Sequence, residues 1–115
     1  MADDIPAPRY DIELSVRLIP SDPEKTFRGV SQNLSETGVL VRAERSEPLR
    51  TMLRVEFPVF AASGEVIWTR ETGEDLGVFL GMKFQALSSE DKRMLLRLLR
   101  GPGTGASWKT ANPAG

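Results

Sequence analysis

The residues best suited to hold a small ligand are Asn33, Ser35 and Gly38, spaced Asn-x-Ser-x-x-Gly immediately ahead of the apolar run Val39, Leu40 and Val41. Asn and Ser carry hydrogen-bonding groups on short stems and also bond their own backbone, while glycine accepts a positive φ that strains other residues. The same chemistry supports two readings. The stretch is a hairpin corner, or Asn33 and Ser35 project outward as ligand groups on a rigid rim. Arginine outnumbers lysine, which occurs only at positions 25, 83, 92 and 109, so forked recognition of small anions stays open.

Other chemistries are excluded by what is missing. The 115 residues contain no cysteine and no histidine, which removes disulfides, thiolate nucleophiles, thiolate and imidazole metal sites and the commonest general base. There is no glycine-rich phosphate loop, and the pair Glu74-Asp75 reads as solvated charge in a hairpin loop. No enzyme is expected, nor any metal or cofactor. A formal net charge of −1 gives little support for binding a nucleic-acid polymer. No apolar run approaches the ~18 residues of a membrane span. The acidic N-terminus lacks the layout of a signal peptide, so the expected location is cytoplasmic.

The elements that must position the motif follow from periodicity. Residues 1–8 form an acidic, proline-containing lead-in, expected to be mobile. Ile12, Leu14, Val16 and Leu18 alternate with polar residues, the period of a half-buried strand that ends at Pro20. A weaker strand is expected at about 26–31, with Gly29 marking a bulge. The motif then feeds a third strand at 39–41. Leu53, Val55 and Phe57 give a fourth, stopped by Pro58. Residues 59–62 begin another strand or bridge to 65–70, with Ser63-Gly64 as a bulge or a turn. Val78, Leu80, Met82 and Phe84 alternate best of all, and Gly77 and Gly81 suit strong curvature or close approach of another backbone.

The period then changes. Ser88 caps a helix with Asp91 three residues on, and Met94, Leu95, Leu98 and Leu99 form an apolar stripe that reads as core packing. Gly101-Pro102-Gly103 stops it, leaving a Gly/Ala/Thr/Pro-rich tail, residues 101–115, expected to be disordered apart from the lone Trp108. The fold class is mainly β: a small six-stranded antiparallel barrel with a C-terminal α-helix, one domain over residues 9–100.

In this order the chain resembles the PilZ domain family. The segment Arg9-Tyr10-Asp11-Ile12-Glu13-Leu14 resembles its arginine-led first strand, and Asn33-x-Ser35-x-x-Gly38 matches its (Asp/Asn)-x-Ser-x-x-Gly signature. Gly64-Glu65-Val66-Ile67-Trp68-Thr69-Arg70 resembles its mid-barrel strand. Gly77-Val78-Phe79-Leu80-Gly81-Met82-Lys83-Phe84, followed by a Ser-capped Leu-rich helix, resembles its end. The resemblance implies a split barrel and a bacterial receptor for cyclic di-GMP, with Arg9, Asn33, Ser35 and Gly38 as the ligand-binding residues and the nucleotide as a regulatory ligand. Guanidinium groups fork onto phosphate and lie on guanine faces, and an Asn oxygen accepts from the guanine edge.

The sequence departs from the family pattern at one position. The family has Arg-x-x-x-Arg before the first strand; four residues ahead of Arg9 stands Ile5, and four after it stands Glu13. Loss of one charged hydrogen bond, ~1.5–3 kcal/mol, weakens binding ~10- to 100-fold. Arg28, Arg42 and Arg45 are the candidates to substitute from the barrel rim. Two functions therefore remain: a cyclic di-GMP receptor that alters its contacts with an unidentified protein partner, or a degenerate domain that does not bind the nucleotide. The latter would be a protein–protein interaction module in motility or surface-attachment control.

Overall fold

A computed structural model describes residues 8–71 and 77–101. The expectations placed on Ile5, on the lead-in before Pro8, on Glu74-Asp75, on Trp108 and on the tail beyond Gly101 lie outside those residues.

Six strands close into one antiparallel barrel in the order β1-β2-β3-β6-β5-β4. The strands are β1 (Ser15–Ile19), β2 (Phe27–Leu34), β3 (Gly38–Ala43), β4 (Met52–Glu56), β5 (Ala61–Glu71) and β6 (Val78–Ala86), followed by α1 (Ser89–Arg100). The alternation read in the sequence is the barrel's inside and outside. Val16, Leu18, Val41, Leu53, Val55 and Leu80 are buried, whereas Arg17, Arg42 and Arg54 between them are exposed. Among the described residues, closure leaves no free strand edge to template pairing with another chain.

Two local expectations are corrected. The bulge on β2 is not at Gly29, which pairs in regular register with Val16 and Ala43. The register shifts between Ser31 and Asn33, so Gln32 is the extra residue. Gly29 is needed instead because a Cβ there would stand 2.5 Å from Val41 Cγ1 and 2.9 Å from the Arg42 carbonyl oxygen. The segment from Val59 divides: Phe57 donates its amide to the Phe60 carbonyl at 2.8 Å in a tight turn, and β5 begins at Ala61. Ser63-Gly64 is neither a turn nor the bulge itself: both residues continue β5 in regular register with Arg54 and Leu53, and the extra residue opposite them is Gln85 on β6. A second register shift falls between Val66 and Trp68, with Ile67 as the extra residue.

The helix closes the core from outside the barrel. Leu95 and Leu99 are 1% and 4% exposed and belong to the same buried cluster as the barrel interior, with Met94 and Leu98 packed against it. Burying each leucine contributes about 1.5–3 kcal/mol. The stacked rings of Phe57 and Phe60, 4.2 Å apart, meet Phe84 edge-on at 6.4 Å in that cluster. At the helix start the Ser88 hydroxyl oxygen accepts the Asp91 amide at 3.0 Å and donates to Asp91 Oδ2 at 2.8 Å. Asp91 Oδ1 accepts the Ala61 amide at 3.0 Å, pinning the helix to the first residue of β5. The Ser88 hydroxyl, and then the Ala61 amide, hold the Asp91 carboxyl below the usual carboxylate range, while partial burial opposes them. Gly101 ends the helix at φ 67°, its amide returned to the Arg97 carbonyl at 2.8 Å. Among the described residues no helix is long and apolar enough to cross a membrane.

Candidate functional site

The motif forms the β2–β3 corner, and its local chemistry is that of a side-chain-stabilised turn. Ser35 donates its amide to the Gly38 carbonyl at 2.9 Å. Its hydroxyl oxygen accepts the amides of Thr37 at 3.1 Å and Gly38 at 3.2 Å. The Ser35 side chain therefore faces into the corner, with the residue only 5% exposed, rather than projecting outward. Gly38 is also corrected: it has no positive φ. It pairs with Lys83, and a Cβ on it would collide with the Met82 carbonyl oxygen, so glycine is required by the close approach of β6.

Asn33 does face outward, and the reason is the bulge at Gln32. Ser31 is fully buried, and strict alternation would turn Asn33 inward and Leu34 outward. The extra residue reverses this, so that Leu34 is fully buried and Asn33 is half-buried on the outer face. The same device acts on β5. Val66 is fully buried, yet Ile67 and Trp68 are both exposed, at 47% and 42%, because the register shifts between Val66 and Trp68. Bulges commonly re-aim side chains beside functional sites.

These two shifts place one outward row across four strands: Asn33 opposite Leu40, Leu40 opposite Gly81, and Gly81 opposite Trp68. A Cβ on Gly81 would stand 2.5 Å from Trp68 Nε1 and 2.8 Å from Cε2, so the indole fills the space over the glycine. The expected close approach at Gly81 is thus to a side chain, not to another backbone. The next row, Leu34, Val39, Met82 and Val66, is the buried counterpart beneath.

Arg9 arrives at this row by a chain of backbone ties. Ser31 Oγ accepts the Leu14 amide at 2.9 Å and donates to the Ile12 carbonyl, fixing the segment before β1 against β2. Tyr10 and Leu34 then exchange both amide–carbonyl bonds at 2.9 Å in an isolated bridge. Arg9, the preceding residue, falls opposite Ser35 in that antiparallel register. A cavity of about 380 Å³ results, and Arg9, Asn33, Ser35 and Gly38 all line it. Trp68 and Lys83 line it too. The sequence reading did not single these out as site residues, because alternation along 65–70 hides the bulge that turns Trp68 outward. The one available signal was Gly81, a mid-strand glycine with room for an aromatic partner.

The cavity has the elements of a site for a planar, anionic molecule. Arg9 and Lys83 supply two cations, Trp68 an aromatic wall, and Asn33 an amide with no hydrogen-bond partner among the described residues. The arginines expected to substitute at the rim do not reach it. Arg28 and Arg42 line a different hollow that shares no residue with this cavity. Arg45 bonds Glu47 and the Lys25 carbonyl and lies over the Phe27 ring, 4.0 Å from its centroid. Among the described residues no group of three or more acidic, cysteine or histidine side chains is placed to hold a metal ion.

Comparison with known proteins bears on the fold and the family. The family model of the PilZ domain matches residues 6–101. The structure is similar to that of the PilZ domain of YcgR from Escherichia coli, solved with c-di-GMP (TM-score 0.72, 15% identity, covering 95% of this chain and 97% of that one). It is also similar to the Bacillus subtilis inhibitor of motility MotI/DgrA (TM-score 0.69, 17% identity, 84% of this chain). The chain spans about half the length of MotI, 49%. A third similar structure is the PilZ domain of CeSA from a cellulose synthesizing bacterium (TM-score 0.56, 18% identity, 80% and 94% coverage). No curated protein sequence matches the chain. At such identities the solved structures speak for the fold, and the match across residues 6–101 speaks for descent: the chain belongs to the PilZ domain family.

Proposed function

We propose that this domain is a non-catalytic receptor for cyclic di-GMP that signals by altering its contacts with a protein partner. One observation carries the reading: Arg9, Asn33, Ser35 and Gly38 line a single cavity together with Trp68 and Lys83. Arg9 forks onto a phosphate of the ligand, and the Asn33 amide, without a partner among the described residues, meets a guanine edge. Trp68 offers its face to a base, and Lys83 supplies the second cation that Ile5 does not. Ser35 and Gly38 act by holding the corner in shape. Binding fixes Arg9 and the Tyr10–Leu34 bridge against the corner, and the surface completed there is what the partner reads. The domain is taken to comprise residues 9–100 and to work in the cytoplasm.

Isothermal titration of the full chain with cyclic di-GMP tests this. Saturable heat is expected, weakened ~10- to 100-fold in Arg9→Ala, the worth of one charged hydrogen bond. Ile5→Arg should tighten binding. Absence of heat at high micromolar nucleotide in both the parent and Ile5→Arg sinks the receptor. The second reading, an interaction module that does not bind the nucleotide, is favoured by Ile5 at the first arginine position. A parent without heat and an Ile5→Arg variant that binds would establish it.

A further inference from the structure

The larger hollow, about 1380 Å³, is lined by residues of β4, β1, β2, β3 and β6, with Glu71 of β5 at its rim, and shares no residue with the cavity at the β2–β3 corner. Three arginines from adjacent strands line it. Arg17 stands directly opposite Arg28, and Arg42 stands opposite Val30, one diagonal step from Arg28. Like charges directly opposed across a strand pair oppose folding. In a chain of net charge −1 this row is no by-product of a basic composition.

The acidic residues of the hollow leave two of these charges unmatched. The Glu56 carboxylate is shared between Arg17 at 3.3 Å and Arg54 at 3.1 Å. Glu44 turns its carboxylate onto the backbone amide of Arg28, at 3.1 Å, instead of the guanidinium. Glu71 stands at the far rim, on the last residue of β5. Among the described residues the guanidinium groups of Arg28 and Arg42 therefore have no acidic partner. Val30 lies between them, half-buried, and Phe57-Pro58 and Val78 close the two ends with apolar surface.

We propose that this groove binds an extended acidic segment of a protein partner, with carboxylates on Arg28 and Arg42. Guanidinium forks match carboxylates bidentately, and arginine rather than lysine at every basic position suits that geometry. Arg28 and Arg42 stand one diagonal step, ~7–8 Å, apart, close to the ~6.6 Å between alternate side chains of an extended segment. Acidic residues at alternate positions of such a segment put their carboxylates on one face, toward the arginines. The site is independent of the nucleotide cavity and stands whether or not the domain binds cyclic di-GMP.

The test is fluorescence anisotropy of a labelled hexapeptide of alternating glutamate and leucine, titrated with the full chain, beside its lysine–leucine counterpart. Saturable binding of the acidic peptide alone is expected, weakening as salt rises. In Arg28→Ala/Arg42→Ala it should fall at least tenfold, while Arg9→Ala leaves it unchanged. The double variant Arg28→Lys/Arg42→Lys, which keeps charge without the fork, should lose part of the affinity. No saturation at millimolar protein, equal binding by the alanine double variant, or equal binding of the basic peptide overturns the proposal. Displacement of the peptide by inorganic phosphate at constant ionic strength would overturn the carboxylate ligand in favour of a phosphate-bearing one.

Discussion

Trp68 and Gly81 face each other across β5 and β6, and the indole occupies the space that a side chain on Gly81 would take. The missing Cβ is thus a condition for the aromatic wall of the cavity, and Gly81→Ala tests it. The methyl group meets the indole at 2.5 Å and must displace it. Overpacking of this kind costs about 1–3 kcal/mol. Base stacking on an aromatic is worth about 1–3 kcal/mol, so a displaced wall should weaken cyclic di-GMP binding by roughly tenfold. Tryptophan emission in a Trp108→Phe background should shift as well. Unchanged emission and affinity would mean that the indole does not form the wall.

Ser31 is the hidden support of Arg9. Its hydroxyl, with the residue fully buried, satisfies the Leu14 amide and the Ile12 carbonyl at once. Ser31→Ala orphans both groups at a cost of about 2–6 kcal/mol, taking about 1–3 for each. Urea denaturation should show a lower midpoint with an unchanged slope. Nucleotide affinity should fall with it even though Ser31 does not line the cavity. A variant as stable as the parent would mean that the segment before β1 is held by other contacts.

Asp91 makes stability depend on pH in the acid range. Its folded pKa is depressed, first by the Ser88 hydroxyl and then by the Ala61 amide. A depressed carboxylate stabilises the fold above its unfolded pKa, and that contribution is lost as pH falls through the lower folded value. Asp91→Asn keeps an acceptor for the Ala61 amide but carries no charge. Its melting temperature should lie below the parent's at neutral pH, and the two curves should converge on acidification. Parallel curves across the acid range would remove the helix cap from the list of titrating contacts.

Arg50 is the one described non-glycine residue with a positive φ, 75°, in a turn closed by the Thr51 amide on the Pro48 carbonyl at 3.2 Å. The left-handed region costs an L-residue about 1–2 kcal/mol, and glycine gives back about 0.4–1 kcal/mol through its freer unfolded chain. The Arg50–Glu65 ion pair has an arginine side chain 84% exposed, so its loss costs little. Arg50→Gly should gain about 0.5 kcal/mol, seen as a rise of about 2–4 °C in melting temperature. A fall would place more weight on the ion pair than exposure allows.

Much of the fold was legible because its causes are local. Alternation at 12–18, 53–57 and 78–84 reports which residues face the barrel interior, and Ser88 with Asp91 reports a cap whose partners lie within one turn. The turn at 33–38 was legible for the same reason, since Ser35 bonds amides only two and three residues away. The roles of glycines were not. Gly29, Gly38 and Gly81 each make room for a residue on a neighbouring strand, which is distant in the chain.

The sequence by itself determined a barrel of alternating strands, the polar corner that Asn33 and Ser35 belong to, and the absence of the side chains that most catalysis and metal binding require. Only the tertiary structure decided which of those side chains meet. A period-two pattern fixes facing only while the register is unbroken, and one inserted residue reverses it. The insertions at Gln32 and Ile67 are defined by the partner strands opposite them. They turn Asn33 and Trp68 outward onto one row, with Gly81 between them, where Arg9 is delivered by its bridge to β2.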